Sequence, residues 1–549
     1  MRKAQKASLV ILSVILFSGF FPSDTDIYYR ISKSIETFGK IYKEISLNYV
    51  DKINPEEFIV SGVKGMLSQL DPYTAYIDSK EQRDLEIITS GKYGGIGLSV
   101  SFDDNKVTVI ELMEGYSAHR QGVRIGDIIT KINDTPVDGN TQEYMSVIQK
   151  GEPGTTVQLT VKREGVDEPL RFELVREEIE IVNVSYYGFI PENSQNAYIK
   201  LSGFSRTAGD EIKKAIEQLS SRKEIRSVVL DLRGNPGGLL EAAVDVSEKF
   251  LKKGAKIVSV IGRDSTVKKE YFSKEEPIAG KYPVAVLVDN GSASASEIVA
   301  GAIQDNDRGI IIGETTFGKG LVQSVIPLSD NTSLKMTTAR YYTPSGRCIQ
   351  KVSYSDKNKV FENPTVNGKT GYFTLNRRKV FSAGGIVPDS TTEEGVIPQI
   401  KMRLLADGMF FKFATHYFNT HPGLTEKQMN KERIYDEFVN YIQSGKFLIT
   451  QRSARLIDQL KKILKEGGYP DKIASELEQV SQEIDKAKTT ELYKHKDEIY
   501  SELRDELLIR IHGRTGMIKE SVKNDRTFTT ALNMLNDKVQ YKRVLRINE

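Results

Sequence analysis

Three stretches hold residue types that together could carry out acyl transfer. Gly291-Ser-Ala-Ser-Ala-Ser-Glu297 lies between an apolar strand-like segment, Val284-Ala-Val-Leu-Val288, and a helical one, Ala295 to Ile303. Small residues at such a junction let the backbone turn sharply and expose a serine. The amides at the start of the following helix then point outward, where they can stabilise an oxyanion. Ser294 is the candidate nucleophile. The same residues also read as a capping box, Ser294-x-x-Glu297, which would make Ser294 a plain N-cap. The Gly-x-Ser-x-Gly elbow is not matched, because Ala293 and Ala295 flank Ser294.

A nucleophilic serine needs a base. No histidine lies between His119 and His416, so a Ser-His-Asp triad would have to borrow one from a neighbouring unit. A lysine can serve if it is neutral, which requires burial to bring its pKa from about 10.4 toward 7. Lys319, in Gly318-Lys-Gly320 after an apolar strand, is the candidate, and a solvated loop lysine is the bland alternative. If the strand Leu321-Val-Gln-Ser-Val-Ile326 begins at the lysine, Lys319 and Gln323 share a face, and Gln323 could hold the amine without charging it. Gly313-x-x-x-x-Gly318-Lys319 is also nearly a phosphate-binding loop, but Gly320 stands where a magnesium-holding Ser or Thr is required. Asp231-Leu-Arg-Gly-Asn-Pro-Gly-Gly238 is a second strand–turn–helix junction. Gly237 and Gly238 there could face their amides to a substrate oxygen, or simply make a tight turn. Gly95-Ile96-Gly97-Leu98 precedes an alternating strand; its amides could hold a C-terminal carboxylate, or it could be an ordinary glycine turn.

The elements that must position these groups follow from periodicity. Helical spacing runs from Ile27 to Tyr49 and from Pro55 to Leu70, closed by Asp71-Pro-Tyr-Thr74. From Lys92 to Arg163 short strands and glycine turns predominate, with one helix expected near Thr141 to Gln149. From Val166 to Thr391 strands alternate with helices, which predicts an α/β layer architecture. Past Ile397 the chain is rich in Lys, Glu, Leu and Gln at helical spacing, as at Leu456, Leu460, Ile463 and Leu464, with no chemical motif. The expected divisions are 1–23, 24–85, 86–165, 166–395 and 396–549.

Composition narrows the class. With 549 residues, several units are expected. A net charge of +3 and no long basic block imply no nucleic-acid partner, and Cys348, the single cysteine, excludes an internal disulfide or a cysteine-based metal site. Arg2, Lys3 and Lys6 precede the short apolar run Ala7 to Phe21, which reads as a secretory signal or a membrane tether.

Taken in order, Leu70-Asp-Pro-Tyr-Thr74, Gly95-Ile-Gly-Leu98, Gly122-Val-Arg-Ile-Gly-Asp127, Leu230-Asp-Leu-Arg-Gly-Asn-Pro-Gly-Gly238, Gly291 to Gly301, Gly313-Glu-Thr-Thr-Phe-Gly-Lys-Gly320 and Gly384-Gly-Ile-Val-Pro-Asp389 resemble the carboxyl-terminal processing, or tail-specific, protease family. The resemblance spans roughly Ile35 to Asp389. It implies an α/β crotonase-like core with a PDZ domain at 86–165, helical units at either end, and serine endopeptidase activity near protein C-termini with no metal or cofactor. It implies Ser294 as nucleophile, Lys319 as base and Gln323 as its support. The implied oxyanion donors are the Ala295 amide and that of Gly237 or Gly238. Gly95, Ile96, Gly97 and Leu98 would bind the apolar C-terminus of a protein or peptide substrate. An exported, periplasmic location, soluble or tethered to the inner membrane, is expected, and homo-oligomers are left open. Two rival readings stand beside it: a binding module that only captures protein tails, and a hydrolase of small esters or amides using the same dyad.

Overall fold

A computed structural model describes residues 25–547 except 104–105, 138–150, 265, 267, 330, 353, 355–370, 383, 393–394, 396, 445–451 and 469–470. The basic and apolar N-terminal run and the helix expected near Thr141 to Gln149 lie outside the described residues. The chain divides into two units, Met1–Ser79 with Gln323–Thr337, and Lys80–Val322 with Thr338–Glu549.

In the first unit, Asn54 caps the helix Pro55–Leu67 by accepting from the Glu56 amide at 3.1 Å, and Pro55 occupies its first turn. This helix meets the helix Thr25–Asn48 through the stacked rings of Tyr42 and Phe58. The short strand Ala75–Ile77 pairs antiparallel with Ser333–Lys335. The expected 24–85 unit thus gains a segment far downstream, which local periodicity cannot reveal.

The second unit holds a six-stranded sheet in the order Val184–Phe189, Asn196–Leu201, Ser227–Asp231, Val284–Val288, Ile310–Gly313, Ser390–Thr391. Every pairing after the first is parallel. Parallel strands buried on both faces read as continuous apolar runs, as Val284-Ala-Val-Leu-Val288 does. One face, carrying Ile199, Val228, Leu230, Val286 and Ile311, packs under the helices Ala208–Arg222, Leu240–Glu248 and Ala295–Asp305. The other face, carrying Tyr198, Val229, Ala285, Leu287, Ile310 and Ile312, is covered by the chain's last two helices, Arg526–Asn536 and Lys538–Leu545. The end of the expected C-terminal extension is therefore a layer of the α/β core.

The β-rich unit has its own core and the strand order Leu98–Asp103, Lys106–Leu112, Ile128–Ile132, Thr156–Lys162, Leu170–Val175. It runs past the expected end at 165, because Leu170–Val175 pairs along Thr156–Lys162 and buries Leu174. The remaining C-terminal helices bury a cluster around Phe413, Phe438 and Leu503. They brace the β-rich unit through Arg514 to Glu111 at 2.5 Å and His416 to Glu164 at 2.8 Å. Among the described residues no helix is long and apolar enough to cross a membrane.

Candidate active site

The strand Val284–Val288 ends at Asp289, and the chain turns through Gly291 to Ala293 into the helix Ala295–Asp305. Ser294 stands at the turn with φ 55° and ψ −110°, far from the extended backbone of an ordinary N-cap. A non-glycine residue at such angles is strained, and the surroundings must hold it there. Two neighbouring serines do so. The Ser292 hydroxyl donates to the Leu232 carbonyl at 2.9 Å and the Ser296 hydroxyl to the Asn235 carbonyl at 2.9 Å; both residues are fully buried. The Ala293 amide also donates to the Asn235 carbonyl, at 3.0 Å. Of the three serines in the run, Ser294 alone is half-exposed.

The turn that receives these bonds is itself anchored. Asn235, fully buried, donates its side-chain amide to the Leu201 carbonyl at 2.8 Å and accepts the Gly237 amide at 2.9 Å. Just before it, Asp231 accepts from Tyr198, Lys200 and Arg233. Burial opposes its charge, but Lys200 and Arg233 outweigh burial and hold the carboxyl well below the usual range. Arg233 reaches on to Asp525, at 2.6 Å, ahead of the last two helices. At Gly237, with φ 99°, a Cβ would lie 2.7 Å from the Ala293 carbonyl oxygen and 2.9 Å from the Ala295 nitrogen, so only glycine admits this approach to the elbow.

Glu297 joins the serine elbow to the lysine loop. One carboxylate oxygen accepts the Ser294 amide at 2.8 Å and the Lys319 amide at 2.9 Å. The other accepts the Gly318 amide at 2.8 Å and the Thr316 hydroxyl at 2.6 Å. The residue is fully buried. Burial pushes its carboxyl up to about 7, against the hydrogen bonds from Thr316, Lys319, Gly318 and Ser294 that favour the charge. Tyr341, also buried, places its hydroxyl 2.7 Å from the Lys319 carbonyl oxygen and 3.1 Å from that of Ser294. Lys319 and Ser294 thus sit on backbones tied to the same two side chains. Both are half-buried. The amides a phosphate-binding loop would offer, those of Gly318 and Lys319, are engaged by Glu297 instead.

The structure separates the sequence candidates as follows. The Gly237 amide is engaged by Asn235, whereas among the described residues no backbone partner is found for the amides of Gly238 and Ala295. The strand after the lysine begins at Leu321, so the argument that Lys319 and Gln323 share a strand face does not hold. Gln323 lies in the first unit, where its amide nitrogen donates to the Thr337 hydroxyl at 3.1 Å. In the β-rich unit, the Ile96 carbonyl accepts from Ala118 and the Gly97 carbonyl from Met113, while Gly95 pairs with Glu177. Ile96 and Leu98 are buried, and the strand starting at Leu98 is the outermost of its sheet. Sequence reasoning weighed Glu297 only as a capping residue and passed over Tyr341. An acidic residue facing a buried helix start was the available signal for the first. Nothing local marked the second.

The chain is similar to known proteins over most of its length. Residues 195–356 match the family model of peptidase family S41, residues 94–174 a PDZ domain, residues 400–535 a probable PDZ-protease C-terminal helical domain, and residues 22–81 the activating protease CtpB N-terminal domain. The chain is 37% identical over 343 residues to a carboxy-terminal-processing protease of Bartonella bacilliformis, covering 62% of this chain and 78% of that one. It is 32% identical over 320 residues to the carboxy-terminal processing protease CtpB of Bacillus subtilis, covering 58% and 66%. Among solved structures it is similar to a photosystem II D1 C-terminal processing protease, with 27% identity, 66% of this chain and 93% of that one covered, and a TM-score of 0.35. With a PDZ domain, an S41 peptidase region and this degree of identity to the Bartonella enzyme, the chain belongs to the carboxy-terminal processing proteases, a family of serine peptidases.

Proposed function

We propose that this protein cleaves proteins near their C-termini with a Ser294–Lys319 dyad, on a core of the crotonase-like type. The observation that carries the reading is the strained Ser294 elbow, whose backbone shares both Glu297 and Tyr341 with that of Lys319. Neutral Lys319 takes the Ser294 hydroxyl proton as Oγ attacks the peptide carbonyl carbon. The amides of Ala295 and Gly238 hold the oxyanion, each worth about 3 kcal/mol in comparable sites. The lysine then returns its proton to the leaving amine, leaving an acyl-enzyme. A water that gives its proton to Lys319 releases the product. Gln323 is the residue the family resemblance offers as support for the amine.

The PDZ domain supplies the substrate. The loop Gly95-Ile96-Gly97-Leu98 holds a terminal carboxylate on its amides, and the outermost strand, Leu98–Asp103, adds the apolar tail by strand pairing. Export to the periplasm, soluble or on an N-terminal tether, suits the basic and apolar start of the sequence. The exposed apolar residues of the first helix, among them Ile31, Ile35 and Ile41, suit pairing of two copies.

The test is S294A and K319A, assayed for cleavage and for peptide binding. Each change is expected to abolish cleavage with binding retained. Unchanged processing would leave only a tail-capturing module. Activity should rise with pH through an apparent pKa well below that of free lysine, and a limb at about 10.4 would count against a neutral base. Faster turnover of small esters than of matched tail peptides would favour the small-substrate hydrolase.

A further inference from the structure

The turn Asp71-Pro-Tyr-Thr74 has no part in the chemistry so far, yet it lies in the same unit as Gln323 and is bonded to the residue that holds it. Asp71 Oδ1 accepts the amides of Tyr73 at 2.9 Å and Thr74 at 3.0 Å, and Oδ2 accepts the Thr74 hydroxyl at 3.1 Å. This closes an Asx turn. The Thr337 hydroxyl donates to Asp71 Oδ1 at 3.1 Å, and the Thr337 amide donates to the Thr74 hydroxyl at 3.2 Å. With its proton given to Asp71, the Thr337 oxygen is left as an acceptor, and it takes the Gln323 side-chain NH2 at 3.1 Å. The strand pairing of Ala75–Ile77 with Ser333–Lys335 fixes the turn against the same strand.

We infer that Thr337, oriented by Asp71, is a positioning residue that sets which way the Gln323 amide faces. A glutamine amide has two near-equivalent orientations, and only one presents its oxygen to a given neighbour. Asp71 accepts but cannot donate, so Thr337 must donate to it and cannot also donate to Gln323. The relay therefore selects the orientation in which Gln323 offers NH2 to Thr337 and turns its oxygen elsewhere. An oxygen is what a lysine amine requires, since the amine donates in both of its protonation states. This inference rests on the proposed role of Gln323 as support for Lys319.

The test uses the full-length protein with a tail peptide. T337V, close in volume but without the hydroxyl, is expected to lower kcat about tenfold with KM little changed. The limb of its pH profile should move to lower pH, because a carbonyl oxygen facing the amine favours the protonated form. Q323A should show the same displaced limb, and T337V/Q323A should be no worse than Q323A, as expected of two residues acting in one chain. T337S should restore both kcat and the limb. An unmoved limb in T337V alongside a moved one in Q323A would overturn the relay while leaving Gln323 in place. A Q323A enzyme with unaltered kcat and limb would remove the reading beneath it, and the inference with it.

Discussion

At the scale of single residues, Glu297 makes the sharpest prediction. Both of its carboxylate oxygens accept two donors. A glutamine there must place NH2 against at least one backbone N–H in either orientation, so E297Q is no conservative change. It is expected to lower kcat about 100-fold, measured with a tail peptide, through displacement of the Ser294 and Lys319 backbones. The pH dependence has a definite sign. The Glu297 carboxyl stands near 7 in the fold against an ordinary 4.5, so the folded chain binds this proton more tightly than the unfolded chain. Acidification through that window adds stability through this group while it removes the acceptor the elbow needs. With Lys319 as the neutral base proposed above, cleavage should fall below pH 7 with a slope steeper than one proton, from a protein that circular dichroism still reports as folded. In E297Q the residual activity should fall with a slope of one.

Between elements, what matters is how the turn after Ser227–Asp231 and the elbow after Val284–Val288 hold each other. These strands are parallel neighbours, so both turns emerge at the same, carboxyl end of the sheet. Ser292, Ser296 and the Ala293 amide stitch them together. S296A leaves the Asn235 carbonyl short of a donor and should cost about 1–2 kcal/mol in urea unfolding, with a moderate loss of cleavage. G237A should behave oppositely. Its Cβ would press on the Ala293 carbonyl and the Ala295 amide, in a backbone conformation only glycine adopts readily. Cleavage should be nearly lost, and an unaltered rate in G237A would show that the elbow tolerates displacement. The glycines of this motif were legible in the sequence as a turn; that Asn235 would engage the Gly237 amide was not, because that depends on a side-chain rotamer.

For the whole molecule, the final helices change what counts as the core. Leu535 and Leu545 pack with Val229, Leu287 and Ile312 of the sheet, and the Tyr541 hydroxyl bonds the Val284 amide at 3.0 Å. L535A should destabilise the protein by about 2–5 kcal/mol in denaturant unfolding. A chain ending before Asp525 should fail to fold, since it would expose one face of a parallel sheet to water. If that truncated chain unfolds as cooperatively as the full one, the layer is dispensable. The motifs that carry the resemblance stop at Asp389, and so gave no hint that the sheet's second layer comes from the last part of the chain.

The sequence by itself determined the order of strands and helices around each motif, and marked Ser294 and Lys319 as the candidates for chemistry, because local spacing and residue type decide turns and apolar faces. It also determined that the C-terminal region is helical. Only the tertiary structure decided which serines anchor and which stands at the strained turn, that one buried carboxylate ties elbow to loop, and that residues near 71 hold a strand near 337. Those are contacts between segments distant in the chain, and helix or strand periodicity carries no record of which distant surface an apolar or hydrogen-bonding face will meet.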